Sequence, residues 1–303
     1  MSGGDNRTIT HPCVATIGTF DGVHRGHKFV LSQVIRRACA CGLESLVVTF
    51  PNHPLQVLRK DFEPQFLTVG DEKCQLLQAT GVDRVELVEF TPQLAQMSAY
   101  EFMSEVLKRR FNVSVLVIGY DNHFGHGNSS FHDYVKYGKA LGIQVVGCRQ
   151  CVSDDEISST SIRRALLQGD VEKARQLLGY PYFLQGEVVK GFQNGHKLGF
   201  PTANLLVDSR KLVPANGAYF VRSSQEGYGM LNIGMRPTLH NGSQRSIEAH
   251  LFEFEGNLYG TTLKVELLHR LRGEKEFSSL EELKQQLSQD EKACLQLLSQ
   301  LST

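Results

Sequence analysis

The sequence predicts two different folds in one chain: a parallel, doubly wound, Rossmann-like α/β sheet, then a small antiparallel β-barrel with a C-terminal helix. Three observations carry that reading. Short β-rich apolar runs alternate with segments of helical apolar spacing through the first half, and such alternation implies a parallel sheet. From about Phe183, strand-like runs follow one another across turns containing Gly, Asn and Pro. A single long amphipathic segment closes the chain. At roughly 100–200 residues per domain, 303 residues suit two such units.

In the first unit, Val14–Ile17, Ser45–Phe50, Arg84–Phe90, Val113–Gly119 and Ile143–Cys148 read as strands. Between them, Lys28–Cys41, Asp71–Ala79, Ser98–Arg110 and Ser130–Leu141 read as helices. The first helix carries Phe29, Val30, Val34 and Ala38 along one stripe, with Gly42 just past its end as a C-cap. Leu178-Gly-Tyr-Pro-Tyr182 ends a helical stretch with Gly and Pro, which puts the domain boundary there and divides the chain into 1–180 and 181–303. Beyond it, Leu184–Lys190, Ala218–Arg222, Gly229–Ile233, Ser246–Phe254 and Thr262–Leu268 read as barrel strands, and Ser279–Leu301 as the closing helix.

Composition narrows the function. Lys plus Arg number 32 against 32 Asp plus Glu, so the broad basic surface on which nucleic-acid binding rests is missing. No apolar run approaches the ~18 residues of a membrane span, and no nucleic-acid or membrane partner is expected. Seven cysteines, an odd count, do not suggest a disulfide framework and fit a cytoplasmic location. Cys148 and Cys151 have metal or redox spacing, but Cys39 and Cys41 fall in a helix where residues two apart diverge, so thiols without a metal are the simpler reading.

The first chemical signal is Gly18-Thr-Phe-Asp-Gly-Val-His-Arg-Gly-His27, which leaves a strand and opens a helix. Unpaired backbone N–H groups and the positive end of the dipole meet there, a natural phosphate site. His24 and His27 lie three apart and project from one turn toward the same phosphate, while Gly26 lets it approach the backbone. Their N–H groups would stabilise charge growing on an α-phosphate as pyrophosphate leaves. Ile157-Ser-Ser-Thr-Ser-Ile-Arg163 opens a later helix, with Ser159 or Thr160 as N-cap and Arg163 one turn inside, suited to the β- and γ-phosphates of the same nucleotide.

A second signal lies in the barrel. In Gly199-Phe-Pro-Thr-Ala-Asn204, Pro201 extends the chain and puts Thr202 and Asn204 on one side, two hard oxygen donors for a nucleotide-bound Mg²⁺. Glu248 alternates with apolar Ile247, Ala249 and Leu251, and its carboxylate can take the proton of an attacking hydroxyl. Each feature alone has a plainer explanation. The glycine-rich turn can merely carry surface histidines, the serines can cap a helix, and Glu248 can be a solvated strand carboxylate.

In combination the features are specific. The strand–GTFDGVHRGH–helix unit followed by ISSTxxR resembles the HxGH nucleotidylyltransferase superfamily. PTAN, then Asn232-Ile-Gly-Met-Arg-Pro-Thr238, then Glu248, then Leu-Tyr-Gly260 resembles riboflavin kinase. Together they resemble the prokaryotic bifunctional riboflavin kinase/FAD synthetases from about Val14 to Leu301. The resemblance implies that the barrel phosphorylates riboflavin with MgATP to give FMN, and that the N-terminal domain adenylylates FMN with a second ATP to give FAD and pyrophosphate.

It also implies roles for particular residues. His24, His27 and Arg163 act in adenylylation, and Gly18, Thr19, Phe20, Gly26, Ser159 and Thr160 hold its nucleotide. Asp121 lies near the FMN phosphate. Thr202 and Asn204 bind the Mg²⁺–nucleotide with Pro201 and Lys197 beside them, Glu248 is the base, and Arg272 and Phe277 belong to a loop over the flavin. Departures from the family pattern occur at Thr19, Asn52, Asn122 and the Gln193–Lys197 stretch. Two rivals remain: an HxGH transferase for another phosphoester with a non-catalytic flavin-binding barrel, and a non-enzymatic flavin or nucleotide sensor. The first conflicts with the intact Thr202, Asn204 and Glu248 set, the second with the intact histidines.

Overall fold

A computed structural model describes residues 11–51, 65–119, 123–148, 157–191, 199–223, 227–236 and 244–301. The chain divides into two compact units, Met1–Ile157 and Ser158–Thr303.

The first unit comprises β1 (Cys13–Ile17), α1 (Arg25–Cys41), β2 (Glu44–Thr49), α2 (Glu72–Gln78), β3 (Arg84–Leu87), α3 (Pro92–Gln96), α4 (Ala99–Glu101), β4 (Val113–Ile118), α5 (Phe131–Leu141) and β5 (Gln144–Gly147). Its five strands are all parallel in the order β3-β2-β1-β4-β5. Every residue of β1 is buried because both faces of the sheet are covered. Ala15 and Ile17 face one core with Met103, Leu107 and Tyr134, while Val14 faces another with Val34 and Ala38 of α1. Gly42 caps α1 in the left-handed conformation, as its position predicts. The strand order reverses between β1 and β4, which puts the β1–α1 turn at the crevice where sheets of this kind take ligands.

One expected helix differs. Ser98–Arg110 begins as α4, closed by a Ser98–Glu101 capping box, but continues over Phe102–Arg110 as a π-helix. The wider turn keeps Phe102 and Met103, then Val106 and Leu107, on the buried side as adjacent pairs, a pattern that also fits an α-helix on paper.

The second unit starts with α6 (Ser159–Gln168) and α7 (Val171–Leu178) and continues through β6 (Phe183–Val189), β7 (Ala203–Val207), β8 (Gly217–Ser223), β9 (Gly227–Arg236), β10 (Gln244–Leu251), β11 (Thr262–Gly273) and α8 (Leu280–Leu301). The strands close an antiparallel barrel in the order β10-β7-β6-β11-β8-β9. It has six strands where the sequence predicts five plus an extended segment. That segment is β7, which the Pro201 entry and its short length conceal. The two helices pack within this unit: Ala215 N–H donates to the Leu166 carbonyl (3.0 Å), Arg270 to the Gln168 carbonyl (3.0 Å), and His269 Nδ1 to Glu172 (3.0 Å).

One further expectation is corrected. The N-cap of α6 is Ser158, not Ser159 or Thr160: its backbone is extended and its Oγ accepts the Ser161 N–H at 3.1 Å. Four consecutive Ser/Thr residues, 158–161, leave the register ambiguous in sequence. The face of β10 that carries Glu248 is partly covered. His250 is buried there, in a layer where Phe200, Phe220, Met230 and Leu268 pack with Cys294, Leu287 and Leu297 of α8.

Candidate active sites

The first site is built on a strained turn. Between β1 and α1, Phe20 and Val23 both have positive φ (47° and 37°), a conformation costly for residues with a Cβ. Asp21 holds it. The buried carboxylate accepts the Leu67 N–H (3.1 Å), the Thr68 N–H (3.0 Å) and the Thr68 hydroxyl (3.1 Å), and Thr68 Oγ1 in turn accepts the Gly22 N–H (3.2 Å). Gly18 starts the turn with its N–H on the Val48 carbonyl, and a Cβ there would crowd the Phe20 ring at 3.1 Å.

His24 is the N-cap of α1, only 6% exposed, and its Nδ1 accepts the His27 N–H at 3.3 Å. That bond leaves the imidazole hydrogen on Nε2 when the ring is neutral. The two histidine rings stack with centroids 3.6 Å apart, and the Phe20 edge meets His27 at 5.2 Å. His27 Nδ1 is sealed from solvent without a hydrogen-bond partner among the described residues. Burial first, then the neighbouring His24 and Lys73, hold the His27 imidazole well below its ordinary value of 6.5. Gly26 also leaves room for the His24 ring, since a Cβ there would lie 3.2 Å from it.

Two residues of this site escape sequence reasoning. Asp21 lies inside the motif but clamps backbone 46 and 47 positions away. Lys73 of α2 donates to the carbonyls of Thr19 (3.3 Å) and Phe50, joining the C-terminal ends of β1 and β2 beside His27, and burial lowers its pKa. Neither has a spacing signal.

The second site is a row across the barrel. In register, Asn204 of β7 faces Glu248 of β10, Glu248 faces Asn232 of β9, Asn232 faces Ala218 of β8, and Ala218 faces Arg272 of β11. Directly opposed residues share a face, so Asn204, Glu248, Asn232 and Arg272 lie on one. A cavity of about 330 Å³ covers it, with Thr202, Glu248, His250, Arg272 and Phe277 in its lining and Phe200, Met230 and Leu287 supplying apolar wall. A second cavity of about 360 Å³, lined by Pro201, Thr202, Leu251, Phe254 and Tyr259 among others, meets the first at Thr202.

Two carboxylates of the first cavity are anchored by neighbouring groups. Glu274 accepts the Met235 N–H (2.9 Å) and the Asn216 amide (2.7 Å), which hold it below the usual carboxylate range. Asp290, 4% exposed, receives Arg272 through both oxygens (2.8–3.1 Å) and the Gln286 amide (2.9 Å). Glu248 stands at the centre of the row. The Arg272 guanidinium also lies 5.8 Å from the Phe277 ring centroid.

The structure thus brings Gly18, Thr19, Phe20, His24, Gly26 and His27 into one turn, and Thr202, Glu248, Arg272 and Phe277 into one cavity with Asn204 in the same row. Ser159, Thr160 and Arg163 lie in the first turns of α6 and line neither barrel cavity. Asp121, Lys197, Asn52, Asn122 and Cys151 lie outside the described residues. The six described cysteines are free thiols, and among the described residues no group of three or more His, Cys, Asp or Glu can hold a metal.

Comparison with known proteins decides between the rivals. The FAD synthetase family model matches residues 6–161 and the riboflavin kinase model residues 178–298. A bifunctional riboflavin kinase/FMN adenylyltransferase of Escherichia coli K12 is 37% identical, over 92% of this chain and 90% of its own. The chain belongs to the bifunctional riboflavin kinase/FMN adenylyltransferase family. The Bacillus subtilis enzyme of that name is 34% identical over 97% of this chain and 98% of its own. A solved structure described as a macrolide-efflux protein from Streptococcus pneumoniae shares the fold, with a TM-score of 0.85 and 31% identity over 94% of both chains. Among the described residues of this family member, no helix is long and apolar enough to cross a membrane.

Proposed function

We propose that the chain makes FAD from riboflavin in two ATP-dependent steps, phosphorylation in the barrel and adenylylation at the β1–α1 turn. The observation that carries the assignment is the row Asn204–Glu248–Asn232 beneath a cavity that meets a second cavity at Thr202. A kinase needs two substrates end to end with a base where they meet. The cavity with apolar wall and Glu248 takes riboflavin, and the one reached past Pro201 takes ATP.

In the first step the ribityl 5′-hydroxyl attacks the γ-phosphorus. A new O–P bond forms, the bond to the β-phosphate oxygen breaks, ADP leaves with the electron pair, and Glu248 takes the hydroxyl proton. Glu274 and Asp290 are engaged by their hydrogen bonds and serve as scaffold. Arg272, fixed by Asp290, and Phe277 confine the flavin. The Thr202 hydroxyl and the Asn204 amide oxygen are hard, neutral donors and suit a magnesium ion bound to nucleotide phosphates. Asn204 is buried, and a side chain at Gly191 would overlap its amide, so the backbone there is shaped around it. When bound, the ion neutralises phosphate charge.

In the second step an FMN phosphate oxygen attacks the α-phosphorus of ATP, and pyrophosphate leaves. His24 and His27 donate to the growing negative charge, His27 from a neutral ring. The turn Gly18–Phe20 and Gly26 shape the phosphate approach, and Ser159, Thr160 and Arg163 take the outer phosphates. Asp121 and Lys197 keep the roles implied by resemblance, at the FMN phosphate and beside the kinase nucleotide.

We place the functional boundary near residue 180, between the two activities, although α6 and α7 pack with the barrel. Free buried and exposed thiols support a reducing, cytoplasmic setting. The test is chromatography of flavins over time with purified protein, riboflavin, ATP and Mg²⁺. FMN followed by FAD is expected. FMN that is not converted further, even when supplied directly, overturns the adenylylation assignment, and absence of FMN overturns the kinase assignment.

A further inference from the structure

We propose that His250 is a positioning residue for the kinase step, holding the Pro201–Thr202 peptide where the nucleotide and flavin cavities meet. The inference rests on the kinase reading of the barrel. Strand β7 joins β10 through only two register pairs, Asn204 with Glu248 and Ala203 with Ala249. Continued by one residue, the ladder would set Thr202 opposite His250, but the described pairing stops at Ala203, and Pro201 has no N–H with which to extend it. The His250 side chain supplies a bond in its place: Nδ1 lies 2.8 Å from the Pro201 carbonyl oxygen and donates its hydrogen to it.

The ring is built to stay there. His250 is 9% exposed and stands between two aromatic edges, Phe200 at 5.3 Å and Phe252 at 5.9 Å, each inclined by 72°. Strand alternation puts it on the Glu248 face, and it lines the same cavity as Glu248 and Thr202. Glu248 is held in the row by the β10 backbone, whereas Thr202 precedes β7 and depends on its entry. Loss of the His250 bond therefore releases the Thr202 hydroxyl and leaves the base in place. The kinetic signature is weaker binding of Mg·ATP with turnover nearly preserved.

The experiment follows FMN formation by the full-length protein at saturating riboflavin while Mg·ATP is varied, in wild type, His250→Leu and His250→Asn. Leu fills a similar volume without a donor; Asn places an amide N–H near the Nδ1 position. Leu is expected to raise the KM for Mg·ATP about five- to tenfold, the worth of one hydrogen bond, with kcat changed less than about threefold. Asn restores most of the loss. Denaturant unfolding curves that keep the wild-type transition of the barrel show that each variant is folded. If His250→Leu does not fold, His250→Asn against His250→Gln makes the same comparison, because the Gln amide reaches the Nε2 position instead. A fall in kcat at unchanged KM, equal behaviour of donor and non-donor variants, or unchanged kinetics overturns the proposal. A wild-type protein that forms no FMN overturns the kinase reading itself.

Discussion

The two sites perform related chemistry, displacement at a phosphorus centre, and are assembled in opposite ways. At the β1–α1 turn, Gly18 through His27 are ten consecutive residues, and the site is made by folding that stretch tightly against itself. In the barrel, Asn204, Glu248 and Arg272 span 69 positions and meet only because antiparallel register stacks them in a row, where Thr202 and Phe277 join the cavity lining. A local site is sensitive to a single added atom. A register site depends wholly on the one group that does the chemistry.

The largest expected effect follows from that dependence. Glu248→Gln keeps the shape of the row and removes the proposed base, so phosphorylation of riboflavin should fall about a thousandfold. Adenylylation of supplied FMN should stay within about twofold of wild type. Loss of both activities in a folded Glu248→Gln protein would break the comparison, because the sites would then share their machinery.

Gly26→Ala tests the opposite property. Its Cβ would sit 3.2 Å from both Cε1 and Nδ1 of His24, and neither the N-cap bond nor the stacked His27 ring leaves room for the imidazole to retreat. FAD formation from FMN should drop about a hundredfold, the loss typical of one misplaced donor at a developing anion. FMN formation should not change. An unaffected FAD synthesis would mean that the turn is looser than its positive-φ residues indicate.

The same contrast governs what was legible in the sequence. The β1–α1 motif is contiguous, so its place at a helix N-terminus could be read directly. So could both fold classes, because apolar period reports local structure. Register, by contrast, is a property of pairs distant in sequence. Asn232 was visible only as part of a motif, and the pairing of Asn204 with Glu248 had no signal. Asp290 and Glu274 look like ordinary helix and loop carboxylates until their partners are seen. Lys73 acts through carbonyls, which carry no side-chain identity. Sequence spacing also misassigned the α6 cap, where four Ser/Thr residues offer equivalent hydroxyls.

A pH measurement sharpens the first half of the comparison. His27 is kept neutral in the folded protein by burial, His24 and Lys73, whereas in the unfolded chain it titrates near 6.5. Below that value the unfolded state binds the extra proton, so stability falls as pH falls and is insensitive to His27 above it. Stability should therefore fall between about pH 7.5 and 5.5. His27→Gln should remove that part of the slope in denaturant unfolding curves. Adenylylation should show no decline as pH rises through 6.5, since no imidazolium is required. A decline that vanishes in His27→Gln would show a cationic ring at work.

The smallest effect separates a cap from a ligand on α6. Ser158 closes a capping box with Ser161, whereas Ser159 and Thr160 occupy the next positions of the helix. Ser158→Ala should lower stability by about 1 kcal/mol, the usual worth of an N-cap. Ser159→Ala and Thr160→Ala should leave stability within about 0.5 kcal/mol while raising the KM for ATP in the adenylylation step alone. Both arms are needed, because a frayed α6 would also displace Arg163 and imitate the loss of a phosphate contact. If Ser159→Ala and Thr160→Ala change neither KM nor stability, the hydroxyls at 159 and 160 belong to the surface, and the outer phosphates rest on Arg163 and the helix terminus. If they lower stability as much as Ser158→Ala does, the cap is shared among neighbouring hydroxyls, and the tight turn at Gly26 would be the better-defined half of the adenylylation site.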